Sequence, residues 1–369
     1  QAAAFRSSSY PFMNSDFENL ASSLIGERVS LRRQVTDQWD EALKNCAYIP
    51  VFYTSQSIDY QLAYQTGQGG DWQDLSSIIF WNNQPCAVWP LSRTRKGGMS
   101  LFDSHGLPTL PPLFRADLPA TVSKRLTKGC LDVCARLARE MKCGEWQSAE
   151  SFTNESGLGS WHSELMRQGA TCRVGHELYL DLQPDLATIK SGFRKSYKSL
   201  VSSGLKQWSV NILQDGNESV WNEFINLHLE VSGRKTRSDE SWEIQRMHLQ
   251  EKADILIYLR DSEERMVGGG LFQMTRDEAL YAVAAYDRSL FHKPLGHVVQ
   301  FAAIEEFKRR GIRWYKIGAR AFPGDQPAPS EKEISISEFK SGFASHLFPR
   351  YLFSSPVSPD EGGTSPLHH

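Results

Sequence analysis

Apolar positions in this chain switch repeatedly between a strand-like and a helix-like period. Tyr48–Tyr53 predicts a strand. Ser55 caps a helix to about Tyr64, which Gly67–Gly70 ends. Ser77–Trp81 and Cys86–Leu91 predict two strands joined through Asn82–Pro85 as a hairpin turn, and Met99–Phe102 predicts a third. Leu107–Phe114, with Pro111 and Pro112, reads as a stiff loop. Pro119 opens a long helix to about Met141. Glu145–Ser148 is a short strand, Gly157–Gln168 a helix closed by Gly169, and Cys172–Leu182 a long strand. Ahead of these, residues 1–40 are Ser-rich and then charged, with a helix expected over Asp37–Leu43.

The second half repeats this order. A helix runs from Pro184 to about Ser203 with Gly204 as its stop, followed by a strand at Trp208–Leu213. Glu218–Val231 is amphipathic, with Val220, Phe224, Leu227 and Val231 on one stripe, and Ser241–Gln250 is another helix. Ile255–Leu259, Met266–Met274 and Leu280–Tyr286 predict an antiparallel meander. Leu295–Arg310 is a helix apolar nearly all round in its middle, hence buried between layers. Lys308–Arg310 complement its C-terminal dipole, and Gly311 supplies a left-handed stop. Arg313–Ile317 returns as a strand, Ile334–Phe343 is a late helix carrying the pair Phe339-Lys340, and Leu347–Phe353 is a last strand.

The element order from Leu280 to Phe353, together with the Phe339-Lys340 pair, resembles the C-terminal half of the Fem-type aminoacyltransferases. These are tandem members of the acetyltransferase (GNAT) fold that move amino acids from aminoacyl-tRNA to an amine of a peptidoglycan precursor. The resemblance covers roughly residues 45–353. It implies an α/β (α+β) chain of two GNAT-like domains with mixed, mainly antiparallel sheets. Domain one spans 45–182 and domain two, with the catalytic motifs, 183–353. An extension precedes them at 1–44, and a flexible tail with a tag remnant follows at 354–369. The element-level duplication between the halves is what such a tandem fold predicts.

Composition narrows the function. A chain of 369 residues with 40% hydrophobic and 23% charged residues is globular and long enough for two domains. The net charge of −2 argues against a protein that coats nucleic acid, while leaving room for a local basic groove. No apolar run reaches the roughly 18–20 residues that span a bilayer, and Gln1–Arg6 lacks the pattern of a signal peptide. The expectation is therefore a cytoplasmic protein, with peripheral membrane contact still compatible. The six cysteines lie in the first half without a CxxC pair, so no metal is expected. Cys130 and Cys134, four apart on a helix face, read as small core residues.

Four constellations carry candidate chemistry. Arg194, Lys195 and Lys198 cluster near a helix start, with Arg194 and Lys198 on one face, as a phosphate or RNA backbone would require. Arg234, Lys235 and Arg237, closing at Trp242, form a cationic loop beside a helix start that suits a diphosphate. His228, one turn upstream, reads as a packing histidine. Tyr281, Tyr286, Asp287, Arg288, His292, Lys293, Gly296 and His297 surround the third loop. Coenzyme A-binding relatives place a glycine-rich pyrophosphate cradle there. This chain keeps one glycine and puts Pro294, which has no N–H, in the loop. Asp287 could take the proton of an attacking amine or cap the following turn. In the fourth, Gly318 after a strand permits close approach to the backbone, with Lys316 and Arg320 available for a phosphate or carboxylate. Gly268–Gly270 lies inside a strand and reads as a bulge or a close-approach site.

The resemblance gives Lys340 a role: its ammonium would stabilise the oxyanion formed when an ester is aminolysed. The implied function is N-acyl transfer, with aminoacyl-tRNA as co-substrate and no permanently bound cofactor. The acceptor would be an amine on a cell-envelope precursor carrying a diphosphate or an amino sugar. Lys340 and Asp287 are the catalytic candidates. Arg194, Lys198, Arg234, Arg237, Trp242, Tyr281, Lys316, Arg320 and Phe339 are the substrate-binding candidates. The alternative is an N-acetyltransferase using acetyl-CoA on an amino sugar or sugar nucleotide. A third reading is a non-catalytic binding module.

Overall fold

The computed structural model describes residues 14–150 and 159–357. The expected residue 157–158 helix start and most of the 354–369 tail lie outside them. The first half contains α1 (Asn14–Ile25), β1 (Val29–Leu31), α2 (Thr36–Lys44), α3 (Ser55–Gly67), β2 (Asp71–Asp74), β3 (Ser77–Trp81), β4 (Gln84–Trp89), β5 (Ser92–Lys96), β6 (Met99–Asp103), β7 (Leu113–Phe114), α4 (Ala120–Glu140), β8 (Glu145–Glu150), α5 (Ser160–Arg167) and β9 (Thr171–Asp181). The second contains α6 (Leu186–Gly192), α7 (Lys195–Gln207), β10 (Ser209–Leu213), α8 (Glu218–Ser232), α9 (Asp239–Gln250), β11 (Asp254–Arg260), β12 (Met266–Met274), β13 (Glu278–Tyr286), α10 (Leu295–Arg309), β14 (Trp314–Arg320), α11 (Glu331–Ser341) and β15 (His346–Pro356).

An eight-stranded sheet in the order β10-β11-β12-β13-β14-β9-β15-β8 runs through both halves. Every described pairing in it is antiparallel except β13 with β14. The last described strand, β15, lies between β9 and β8 and so is sewn into the first half. Apolar helix α10 packs on one sheet face, with Val298, Val299, Ala303, Ile304 and Phe307 all fully buried. On the other face α8 and α9 bring Trp221, Phe224 and Trp242 against the strands. Smaller sheets, β1-β3-β4-β7 and β2-β5-β6, complete the first half. Its core holds Phe17, Ala21 and Ile25 of α1 against α4, with Cys130 and Cys134 as buried packing residues.

Several sequence expectations change for physical reasons. Tyr48–Tyr53 is not a strand. Pro50 removes a donor, and the segment ends in a 3₁₀ turn at Val51–Tyr53. Its backbone bonds the other half: Ile49 N donates to Asp277 (2.9 Å), Val51 N to Glu278 (3.0 Å), and Thr275 donates to Ile49 O (2.7 Å). An apolar run therefore reads as a strand when it is an inter-half seam. The helix expected over Pro184–Ser203 is broken into two at extended Phe193 and Arg194. Gly204 does not stop α7. It lies inside the helix, where a Cβ would come within 2.3 Å of Val298 and 3.0 Å of Pro294, so it lets α7 sit on the first turn of α10. Helix α11 starts earlier than apolar periodicity suggests, because Ser330 and Glu333 form a capping box.

Candidate active site

Strands β13 and β14 set the geometry. They pair in parallel only at Glu278–Leu280 against Trp314–Lys316, and then run on to Tyr286 and Arg320 without pairing each other. A gap thus opens at their C-terminal ends, where open α/β sheets bind ligands. Helix α11 packs over this gap and sends Lys340 into it. The lysine Nζ lies 5.4 Å from the Tyr281 ring on β13. On β14, a Cβ added to Gly318 would come within 2.8 Å of Nζ. Gly318 has φ +139°, a conformation side chains rarely adopt. What the glycine admits to the backbone is this amine.

Lys340 lies in an unusual setting for a lysine amine. Burial pushes its ammonium pKa below the ordinary lysine value, and no neighbouring charge offsets that push. No carboxylate among the described residues pairs with it. The wall behind is aromatic. Tyr281 donates or accepts a 2.9 Å bond with Tyr286, and its phenol is pushed up to about 12 by burial, opposed by the bonds to Tyr286 and Gln300. Gly268 and Gly270, close-approach positions as read from sequence, face the rings of Tyr286 and Tyr281. Phe339 lies on the first turn of α10: a Cβ on Gly296 would meet its Cζ at 3.1 Å. His297 is held by Tyr197, Phe339 and Phe343, with burial and then Arg194 lowering its pKa to about 4.

The other sequence candidates divide. Asp287 is a cap: its Oδ1 accepts from Ser289 N (2.9 Å) and Ser289 Oγ (2.6 Å), and Arg265 stands 3.6 Å away. Of the two roles left open for it, the cap is the one observed. Arg194 is the N-cap of α7, not a residue within it, so it does not share a helical face with Lys198 as spacing predicts. Arg194 bonds Glu338 at 2.5 Å, and Arg320 bonds the other oxygen of the same carboxylate. Beside them lies a cleft of about 440 Å³ lined by Arg194, Tyr197, Glu338 and Phe339. Lys316 is buried in an ion pair with Glu177 at 2.9 Å.

Arg237 joins the halves. Arg237 donates to Tyr60 of α3 (3.1 Å), bonds His228 (2.9 Å) and stacks over Trp242. His228 is a packing residue whose pKa falls to about 4 through burial and then Arg237. Trp242 is only 5% exposed and its backbone carbonyl accepts from Trp221. Arg234 is exposed and Lys198 half-buried, neither with an ion pair among the described residues.

Apart from Lys316, sequence reasoning missed the residues of a second cleft, between the halves, of about 340 Å³. Glu278 lines it, accepting from Tyr48 Oη (2.7 Å) and Val51 N. So does Glu150, whose carboxyl is pushed up to about 7 by burial, opposed by the Gly159 N–H. The adjacent acids Asp277-Glu278 at a strand start were the only visible signal.

No protein-family model and no curated relative matches the chain. Solved structures do. FemX superposes with a TM-score of 0.65 at 11% identity, covering 87% of this chain and 96% of that one. L-PGS from Bacillus licheniformis gives 0.56 at 12% identity, covering 88% and 93%. The chain therefore has the tandem GNAT-type fold that the resemblance implied, and it shares the Fem-type arrangement over most of its length. Among the described residues no helix is long and apolar enough to cross a membrane.

Proposed function

We propose that the chain is an N-acyltransferase that moves an aminoacyl group from aminoacyl-tRNA to an amine of a cell-envelope precursor. The observation that carries this reading is Lys340, a half-buried cation without a carboxylate partner in the gap between β13 and β14. Isolating a charge from water without a partner costs stability, so its retention points to a ligand that develops negative charge there. Aminolysis does so. The acceptor nitrogen attacks the ester carbonyl, the carbonyl oxygen becomes an oxyanion facing the Lys340 ammonium, and the C–O bond to the tRNA ribose then breaks. The ribose oxygen leaves as a hydroxyl, carrying the proton that the amine loses. With Asp287 engaged as a cap, no side chain is assigned as the base.

The donor choice rests on the start of α10. Phe339 covers Gly296, Pro294 lacks an N–H, and Gly204 seats α7 over the same turn. A coenzyme A diphosphate needs those amides open, which favours the tRNA donor over acetyl-CoA in this half. Lys198 and Arg234 are left for the polyanionic donor or an acceptor diphosphate, and Arg194 and Arg320 would reach one by exchanging Glu338. Domain limits of 45–182 and 183–353 belong to the same proposal. The test is to incubate the protein with radiolabelled charged tRNA or with acetyl-CoA, and with muropeptides or amino sugars. Transfer from charged tRNA that depends on Lys340 supports the reading. Transfer from acetyl-CoA alone replaces the donor.

A further inference from the structure

Helix α7 concentrates positive charge on a nearly neutral chain. From Leu186 to Gln214 the sequence holds Lys190, Arg194, Lys195, Lys198 and Lys206 and no Asp or Glu, although the whole chain has a net charge of −2. Two of these cations are engaged. Arg194 pairs with Glu338, and Lys190 donates to Ser202 and lies over the Phe301 ring. Lys195, Lys198 and Lys206 have no ion pair among the described residues. Tyr197, Val201 and Gly204 turn one face of α7 to the core. Lys195, Ser202 and Lys206 follow one another at i, i+7 and i+11, so they share the opposite stripe, with Lys198 and Leu205 along its edge.

At the C-terminal end of this stripe two large apolar side chains are left in water. Leu205 is 40% exposed, and Phe291, on the turn before α10, is 64% exposed. That turn is fixed to α7. Lys293 N donates to Leu290 O (2.8 Å), and its ammonium lies 5.4 Å from the ring centroid of Trp208, the C-cap of α7. Leu290 packs on the core and Pro294 meets α7 at Gly204, which leaves Phe291 at the tip. From Arg288 to Ile304 the sequence again has no acid. A duplex RNA stem would meet the lysines with phosphates but leave Leu205 and Phe291 in water. A bilayer answers both groups: anionic headgroups take the cations, and the boundary beneath them takes the apolar side chains.

We propose that the α7 stripe and the Phe291 turn dock on an anionic lipid bilayer. Phe291 and Leu205 enter the headgroup–acyl boundary, and Lys195 and Lys206 lie among the headgroup phosphates. Helix α7 begins at Arg194, whose partner Glu338 is on α11, so the docked face borders the cleft beside Phe339. The inference concerns a surface and does not rest on the transferase reading.

The test uses the whole protein and no turnover. Flotation compares vesicles of phosphatidylcholine alone with vesicles of equal parts phosphatidylcholine and phosphatidylglycerol, and a duplex RNA is titrated separately. The protein should bind the anionic vesicles, fail to bind the neutral ones, and be released by salt. Lys195→Gln combined with Lys206→Gln should weaken binding by about tenfold or more, from about fivefold per lysine near an anionic surface. Phe291→Ser should weaken it by about tenfold at unchanged charge. In the wild type, anionic vesicles should slow amide exchange over residues 290–293 and α7, and leave α8 and α9, on the other sheet face, unchanged. Equal binding to the two vesicles, or binding of the RNA but of neither vesicle, overturns the proposal. So does protection that falls elsewhere, or vesicle binding that survives Phe291→Ser in full. The exchange map decides even if a variant fails to fold.

Discussion

The two halves each bury a charge, and they treat it in opposite ways. In the first half Asp74 is 5% exposed and saturated. Arg32 bonds it at 2.9 Å, His105 Nε2 at 3.1 Å, and Ser76 N at 3.0 Å. Burial alone would raise its carboxyl, but His105, Arg32 and Ser76 outweigh burial and hold it well below the usual carboxylate range. In the second half Lys340 has burial and nothing to oppose it. A buried charge ringed by partners is part of the scaffold, fixing β2 to the 3₁₀ turn at Arg32–Gln34 and to the loop at His105. A half-buried charge without a carboxylate partner is, on the function proposed above, held for something that arrives.

Removing each charge breaks this contrast most directly. Asp74→Ala leaves buried Arg32 with Asp59 alone and His105 with Ser76 Oγ alone, and should cost about 3–5 kcal/mol in urea unfolding. Lys340→Met should leave unfolding stability unchanged or slightly raised, because a costly isolated charge is lost. The same variant should lower transfer by roughly 10²–10³-fold, the scale of losing one oxyanion donor. If Lys340→Met destabilises as Asp74→Ala does, the lysine is scaffold too.

Gly318→Val sharpens the contrast from the backbone side. Its side chain would displace the Lys340 amine and strain a φ of +139°, so transfer should fall with a stability loss of about 1–3 kcal/mol.

The pH dependences should also run oppositely. Asp74 has a depressed folded pKa, so its stabilisation is present above the unfolded value of about 3.9. It is lost as pH falls through the lower folded value. Asp74→Asn should flatten this acid limb of thermal stability. In the proposed role Lys340 acts protonated, so transfer should decline on an alkaline limb that starts below the ordinary lysine range. The smallest effect belongs to Glu338→Gln. Its carboxylate is 48% exposed, so breaking its bonds to Arg194 and Arg320 should change stability by under about 1 kcal/mol.

Local chemistry made most elements legible. The Asn82-Asn83 turn, with φ of 51° and 60°, joins β3 to β4 as read, and Gly311 at φ +75° ends α10. The Phe339-Lys340 pair was visible because its resemblance lies in sequence order. What stayed hidden is long-range. The Tyr48–Tyr53 seam has a strand's apolar pattern but bonds to Asp277 and Glu278, more than 200 residues away. The cations of Arg194, Arg237, Lys316 and Arg320 read as ligand contacts, since their partners Glu338, Tyr60 and Glu177 are remote in sequence. Glu150 was invisible, because nothing local marks a carboxylate that burial raises.

The central claim is tested by measuring transfer of a radiolabelled amino acid from charged tRNA to a panel of amine acceptors, with wild-type protein and Lys340→Met side by side. The account predicts transfer by the wild type and its loss by roughly 10²–10³-fold in a variant of unchanged stability. Equal transfer by the two proteins, or acyl transfer only from acetyl-CoA, would contradict it.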